Sequence, residues 1–358
     1  MPGTVLVDRG DHRLSPMTDL RPAMCVRTGA MTTLERWDRW LRDRGEDGVV
    51  GVRVPEEIAG VTREIVDVPV NEHADNADVT FVDARRVLPD DEEALLDWPW
   101  DVIRHRDRAI AMDIELLTKG IAQRGDADRD VCLLNDGDVY LTPRARVMAG
   151  AVIDAEKGPV IIGDGTVVRP RAVIVGPAVI GRDCVISEHA LIKANTAIGP
   201  VCKVGGEVGG TIFQGFANKV HEGHLGDSWV GTWANLGAAT TNSNLLNTYG
   251  EVVCRATPEG GRVRTGLAYL GAIIGDHAKF AIGTRIMTGT VVGTGAMVAS
   301  STPPAQAVER FTWLTDKGAQ RFRFEKFLDV ARTMMARRDR EVTDAYEARL
   351  SVLHEGVA

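Results

Sequence analysis

An aliphatic residue recurs at every sixth position between Ile162 and Val204. The series is Ile162, Val168, Ile174, Ile180, Ile186, Ile192, Ile198 and Val204. Side chains repeat about every 3.6 residues in a helix and every 2.0 in a strand, so neither element explains this period. A chain that alternates short strands with corners closes a triangular coil about every eighteen residues. The period therefore predicts a parallel β-helix with an inner column of Ile and Val, and with small residues at its corners.

Composition and charge narrow the class of protein. The net charge is −8, which disfavours broad binding to nucleic acid or to an anionic membrane. The five cysteines are dispersed without a metal-ligand spacing: Cys25, Cys132, Cys184, Cys202 and Cys254. Two of them fall on small-residue positions of the repeat, which predicts a packing role. With no signal peptide and no apolar run long enough to cross a membrane, we expect a cytoplasmic, reduced protein.

The first part of the chain, residues 1–142, has the pattern of a small α/β domain. A strand is expected at residues 4–8, and a helix from Thr32 with Glu35 completing a capping box. Further strands are predicted at about 49–54 and 79–83, and helices at about 91–97, with an irregular continuation to 104, and at 110–123. Strands and helices in alternation favour an α/β layer.

Residues 143–302 form the predicted β-helix, and residues 303–358 a C-terminal extension. The six-residue period breaks at 205–224 and again between about 240 and 263, and we expect the breaks to form external loops that carry function. The extension has apolar residues at helical spacing from Gly318 to Leu353. It predicts a long helix that caps the solenoid or packs on a neighbouring subunit.

Polar residues cluster in these two breaks. His221 and His224 stand beside Gly226 and Asp227, and Asn244 follows in an Asn-rich segment within one or two coils. A lone histidine is more often structural than catalytic, but residues one coil apart lie side by side in a solenoid. We therefore expect His221 and Asn244 to face one cleft.

The run KVHEGHLGDSWVGTWANLGAATTNSNLLN resembles a known family signature, roughly VNHLxYLGDxxIGxxxNIGAGTxxxNYDG. That family is the acetyltransferase half of the bifunctional glucosamine-1-phosphate N-acetyltransferase and N-acetylglucosamine-1-phosphate uridyltransferase, a left-handed β-helix. Without a gap, its catalytic histidine matches His221 and its two active-site asparagines match Asn235 and Asn244. The position of the family's tyrosine is occupied by His224 in this chain. The substrate-binding lysine of the family is absent, and Gly250 stands near its position. Most of the chain is also similar to a divergent bacterial subfamily described as sugar nucleotidyltransferases.

The resemblance implies an acetyl-CoA-dependent N-acetyltransferase of the UDP-N-acetylglucosamine pathway, which supplies the cell envelope. The acceptor would be an amino-sugar phosphate or a nucleotide-sugar precursor. His221 would be the general base, and Asn235, Asn244 and His224 would bind the substrate. The family also implies a homotrimer with its active sites between subunits. No metal and no covalent intermediate is expected for this reaction.

The N-terminal loop LVDRGDHRLSPMTDLRPAM resembles the second half of the Gly-rich loop of sugar nucleotidyltransferases. The resemblance suggests Arg13 and Arg21 as residues that bind nucleotide phosphates, and Asp83 as a ligand of Mg²⁺. The first half of the loop keeps only Gly10, which predicts a reduced domain. Two alternatives stay open: a sugar-1-phosphate nucleotidyltransferase that uses the solenoid for trimerisation or regulation, and a non-catalytic scaffold.

Overall fold

The computed structural model describes residues 3–73, 79–120 and 125–357. Most of the chain forms the predicted left-handed parallel β-solenoid, with about ten turns. Strands one turn apart pair in parallel, so that Ile162, Ile180 and Ile198 stack directly on one another. These side chains are at most 2% exposed, which confirms the aliphatic column. The small residues of the repeat, including Cys184 and Cys202, are also buried.

The solenoid has three faces. Face A comprises Val139–Leu141, Val160–Ile162, Ala178–Ile180, Thr196–Ile198, Ile212–Phe213, Trp229–Val230, Ala272–Ile274, Thr290–Val292 and Ala307–Val308. Face B comprises Asp126–Ala127, Arg146–Val147, Val167–Val168, Val185–Ile186, Lys203–Val204, Asn218–Lys219, Asn235–Leu236, Lys279–Phe280, Met297–Ala299, Thr312–Thr315 and Gly318–Arg321. Face C comprises Cys132–Leu134, Val152–Asp154, Val173–Val175, Leu191–Ile192, Glu207–Gly209 and His224–Gly226, followed by the pair Thr241–Asn242 and Arg285–Ile286.

The N-terminal segment packs on face A. Its three-stranded parallel sheet has the central strand Gly3–Val7 between Val49–Arg53 and Val79–Asp83. Helices α1 (Thr33–Asp43), α2 (Glu56–Ile65) and α3 (Asp101–Thr118) accompany it, with short 3₁₀ turns at His12–Leu14, Ala23–Cys25 and Asp136–Asp138. Outward side chains of face A, such as Ile161, Val179 and Trp229, belong to the same hydrophobic core as this segment. The segment and the solenoid are therefore one packed unit.

Several predicted elements differ in the structure. Helix α1 has the expected capping box at Thr32, but residues 91–97 form turns, and α3 spans 101–118 rather than 110–123, of which 121–123 lie outside the described residues. Helix α2 was not predicted. The nucleotidyltransferase-like character expected for this segment has no support in the structure.

The solenoid extends beyond the boundaries expected at 143 and 302. Its first strands begin at Asp126, and strands of faces A and B continue to Thr315. The first predicted break is not an external loop. It continues the sheets with shorter turns, because Val204 pairs with Lys219 only fifteen residues later. The second break is a true excursion between Asn242 and Gly271, and it contains the antiparallel pair Val253–Cys254 and Val263–Arg264.

The C-terminal extension is a hairpin and two helices rather than one long helix. Helices α4 (Phe324–Ala336) and α5 (Asp344–Glu355) are separated by a turn in which Asp339 has a positive φ of 54°. Helix α5 contacts α2, and a small core that includes Phe311, Phe327 and Leu350 joins the extension to the solenoid. Among the described residues, no helix is long and apolar enough to span a membrane.

The core shared across face A predicts a large loss of stability in Trp229→Ala. The Trp229 side chain is fully buried, and its Nε1 donates a hydrogen bond of 3.1 Å to the Arg27 carbonyl oxygen. The free energy of unfolding should fall by about 3–5 kcal/mol in urea denaturation followed by circular dichroism. Trp313→Ala is the control, since Trp313 is 43% exposed. Equal losses in the two variants would contradict the shared core.

Candidate active site

His221 lies in the corner that joins face B to face C, between the strands Asn218–Lys219 and His224–Gly226. The corner is tight: Gly223 has a φ of +113°, and a Cβ there would lie 2.2 Å from the Thr240 carbonyl oxygen. The His221 side chain is exposed. In the described part of the chain its imidazole has no hydrogen-bond partner, so this corner presents the ring to solvent.

A buried lysine supports this corner from inside. Lys219 occupies a position of the aliphatic column, paired with Val204 one turn earlier, and it is 1% exposed. Its Nζ donates to the carbonyl oxygens of Gly205 at 3.2 Å, His221 at 2.6 Å and Glu222 at 3.3 Å. Three acceptors match the three N–H bonds of the ammonium group. Lys219 thus ties the backbone of the corner together.

His224 lies one strand further, on face C, and it has a carboxylate partner. Its Nδ1 is 3.4 Å from Oε1 of Glu207, which stands directly beside it on the preceding strand. The Lys193 ammonium also binds Glu207, and this hydrogen bond is the main reason that the pKa of the Glu207 carboxyl is lowered. The His224 side chain is 31% exposed, so the pair is accessible from solvent. Glu207 and Lys193 were not predicted from the sequence, because only the register of the shortened turns brings them beside His224.

Asn244, which lies in the second break, extends its side chain to the position of His224. A Cβ at Gly226 would lie 2.6 Å from Nε2 of His224 and 2.7 Å from Nδ2 of Asn244, so both groups extend over this glycine. Asn244 Nδ2 also donates to Asp227 Oδ2 at 2.7 Å. The structure therefore brings His224 and Asn244 together over Gly226, where the absence of a side chain leaves room for both groups.

The N-terminal segment contributes to this arrangement through α3. Arg106 Nη1 donates to Asp227 Oδ1 and to the Gly210 carbonyl oxygen, both at 2.6 Å. The Arg106 and Asp227 side chains are 11% and 15% exposed. Asp227 thus accepts from Arg106 with one oxygen and from Asn244 with the other. Arg106 was not predicted, since nothing in the sequence links α3 to the solenoid. Asp227 stands in the run that matches the family signature, but no role was predicted for it.

Asn235 lies apart from this group. It is on face B, where it pairs with Asn218 on one side and with Lys279 on the other. The groove that it lines contains neither His224 nor Asn244. Of the four residues predicted for the solenoid, two meet on face C, one lies in the corner and one lies on the neighbouring face.

The N-terminal residues suggested for nucleotide binding are engaged in contacts within the chain. Arg21 is buried, and its guanidinium binds Asp276 at 2.9 Å, Thr232 at 2.9 Å and the Met17 carbonyl oxygen at 3.0 Å. Its donors therefore hold the N-terminal loop on the solenoid.

Arg13 and Asp83 likewise have partners nearby. Arg13 is paired with Asp11 at 2.6 Å, and Asp83 with Arg85 at 2.9 Å. Within residues 3–73, 79–120 and 125–357, no cluster of three His, Cys, Asp or Glu side chains could hold a metal ion. The geometry gives no support to the predicted Mg²⁺ site.

Comparison with known proteins agrees with the fold. Residues 159–194 match the family model of the bacterial transferase hexapeptide with six repeats. No curated protein matches the chain.

Among solved structures, a mutant of perosamine N-acetyltransferase from Caulobacter crescentus, in complex with CoA and GDP-perosamine, is 14% identical. The match covers 89% of this chain and 96% of that chain, with a TM-score of 0.19. The acetyltransferase domain of PglB from Neisseria gonorrhoeae is 10% identical, over 90% of this chain and 100% of that domain, with a TM-score of 0.14. The residues that match the family model, 159–194, precede the turns that hold the candidate site.

Lys219 predicts a distinctive dependence of stability on pH. Burial lowers its pKa from 10.5 to about 8, so between these values the unfolded chain retains a proton that the folded chain has released. The cost of burying the ammonium is present below about pH 8 and disappears as the pH rises. The stability of the native chain relative to Lys219→Met should therefore rise by about 3 kcal/mol between pH 7 and pH 10.5.

Urea denaturation of both proteins across this pH range measures the difference. Lys203→Met, at an exposed position of the preceding strand, should show no comparable change. A stability difference for Lys219→Met that stays flat with pH would contradict the assignment.

Proposed function

We propose that this chain is an acetyltransferase that moves an acetyl group from acetyl-CoA to the amine of an amino sugar carrying a phosphate or a nucleotide. The observation that carries the proposal is the pair formed by Glu207 and His224, with His224 Nε2 next to Asn244 over Gly226. The transferase hexapeptide repeat in the preceding coils supports the same reaction class.

The geometry favours His224 as the general base, whereas the sequence resemblance predicts His221. A carboxylate beside Nδ1 favours the tautomer in which Nδ1 carries the proton and Nε2 is free to accept one. Glu207 is in that position for His224. His221 has no such partner among the described residues, and its proposed part is to bind the substrate at the rim of the site.

The reaction requires one base and no metal. The acceptor amine attacks the thioester carbonyl carbon, a C–N bond forms, and His224 Nε2 takes the proton that the amine loses. When the tetrahedral intermediate collapses, the C–S bond breaks and the CoA thiolate leaves, with the proton on His224 available to neutralise it. The second N–H of the Asn244 carboxamide remains available to hold the substrate, because only one is used by Asp227.

The expected homotrimer remains a proposal. The outward side chains of face C around the site are half-buried, in contrast to those of face A, which the N-terminal segment covers. A site on this open face is accessible to a second copy of the chain.

Separate replacement of the two histidines by alanine tests which of them is the general base. His224→Ala should lower kcat/KM by about 10²–10⁴-fold, and Glu207→Gln should lower it by a smaller factor, because the ring loses its orienting carboxylate. His221→Ala should mainly raise KM. The assay supplies acetyl-CoA with a panel of amino sugars and their phosphates and nucleotides, and follows the release of free thiol.

If His221→Ala abolishes activity and His224→Ala does not, the base is the histidine that the sequence predicts. If no amino sugar is acetylated, the proposed function is wrong. A parallel assay with UTP, Mg²⁺ and sugar 1-phosphates should release no pyrophosphate, and release would favour the nucleotidyltransferase alternative.

Arg106 is a positioning residue for Asn244, acting through Asp227. Arg106→Ala should leave the Asp227 carboxylate without its cation and allow it to turn away from Asn244. We expect KM for the acceptor to rise about tenfold, with a smaller change in kcat. Arg108→Ala is the matched control, since Arg108 lies on the same helix and pairs with Asp91 at the surface. Loss of kcat alone, or equal effects of the two substitutions, would contradict this role.

A further inference from the structure

Residues of helix α4 and of face B line one groove with a volume of about 760 Å³. This groove, the face B groove, has a floor of outward side chains from four successive strands: Lys203, Asn218, Asn235 and Lys279. Helix α4 and the turn that follows it form the wall. The volume is in the range of sites for small molecules and cofactors.

The groove is strongly basic in a chain whose net charge is −8. Five of its lining residues are cationic, and one is a carboxylate, Asp329. The cations are Lys203, Lys279, Lys326, Arg337 and Arg338. In the part of the chain that the structure describes, none of these five forms an ion pair with Asp or Glu. A concentration of cations without carboxylate partners attracts anionic ligands.

Two of the cations are held in place by the solenoid. Arg338 donates to the Val201 carbonyl oxygen at 3.1 Å and to Asn218 Oδ1 at 2.9 Å. Lys279 Nζ donates to the carbonyl oxygens of Trp233 at 2.7 Å and His277 at 3.1 Å. An ammonium group has three N–H bonds, so one remains for a ligand. Burial lowers the pKa of Lys279 to about 7, and a bound anion would stabilise its charged form.

The remaining wall is apolar. It is lined by Val220, Val330 and Met334. Val330 is 40% exposed, so part of this apolar surface is accessible to a ligand. A ligand that fits must therefore combine anionic groups with an apolar or planar part. Val220 also immediately precedes His221, so the groove leads to the corner beside the candidate active site.

We propose that the face B groove binds the nucleoside diphosphate part of a ligand, the group that CoA and nucleotide-activated sugars share. The phosphates lie against the cations of the floor and of α4, and the apolar wall receives the less polar remainder. The choice of these two ligands rests on the proposed function, but binding in the groove is measured independently of acetyl transfer.

Isothermal titration calorimetry with CoA, ADP and UDP-N-acetylglucosamine tests the groove, with inorganic phosphate as a further probe. The double variant Lys326→Gln/Arg337→Gln removes two exposed cations and should weaken binding of the nucleotide ligands by about tenfold or more. Arg332→Gln is the matched control, because Arg332 lies on the same helix but does not line the groove. Lys279→Met should weaken binding as well, and circular dichroism should show that each variant is folded.

The pattern of binding identifies the source of the diphosphate: binding of CoA and ADP without the nucleotide sugar indicates the cofactor, and the converse indicates the acceptor. The proposal is overturned if none of these nucleotides binds below about 1 mM, or if the double variant binds as tightly as the native chain. Acetyl transfer with unchanged binding in the double variant would reject the groove and leave the proposed function intact. Saturable binding of a nucleotide that the double variant weakens, without any acetyl transfer, would support the groove and reject the proposed function.

Discussion

The inward column of aliphatic side chains is the interaction on which the rest of this structure depends. Each Ile or Val is buried against the equivalent residue one turn before and one turn after, while parallel hydrogen bonds join the same strands. A shift of one residue would turn the column outward, so the register is strongly constrained. This rigid register determines which outward side chains stand beside each other, and thereby which groups can act together.

The candidate site forms where that column is modified. Turns of shorter length place Glu207 beside His224, and the column itself carries Lys219 at the same level. A buried ammonium is costly, yet here three carbonyl oxygens of one corner accept its hydrogen bonds. At this level Lys219 replaces an aliphatic side chain of the column. Its hydrogen bonds stabilise one conformation of the backbone before His224.

The solenoid was predictable from the sequence because its period is local and each coil repeats the same packing. The second break was also visible, because polar residues replace the repeat around Asn244. The pairing of Glu207 with His224 was not visible, because it depends on how many residues each shortened turn omits. The same reason explains Asn235, whose predicted partners lie on another face.

The N-terminal segment shows a different limit of sequence reasoning. Its loop keeps arginines that resemble phosphate ligands, but Arg21 is bound to Asp276 of the solenoid, and Trp229 of the solenoid donates to the Arg27 carbonyl oxygen. The sequence alone does not distinguish charged residues that form ion pairs across an interface from charged residues that bind a ligand. Because Arg106 from this segment reaches Asp227 and Asp227 holds Asn244, the segment acts on the site as a support. The contacts from Arg106 to Asp227 and from Asp227 to Asn244 thus join α3 to the proposed site, which is complete only when this segment is packed on the solenoid.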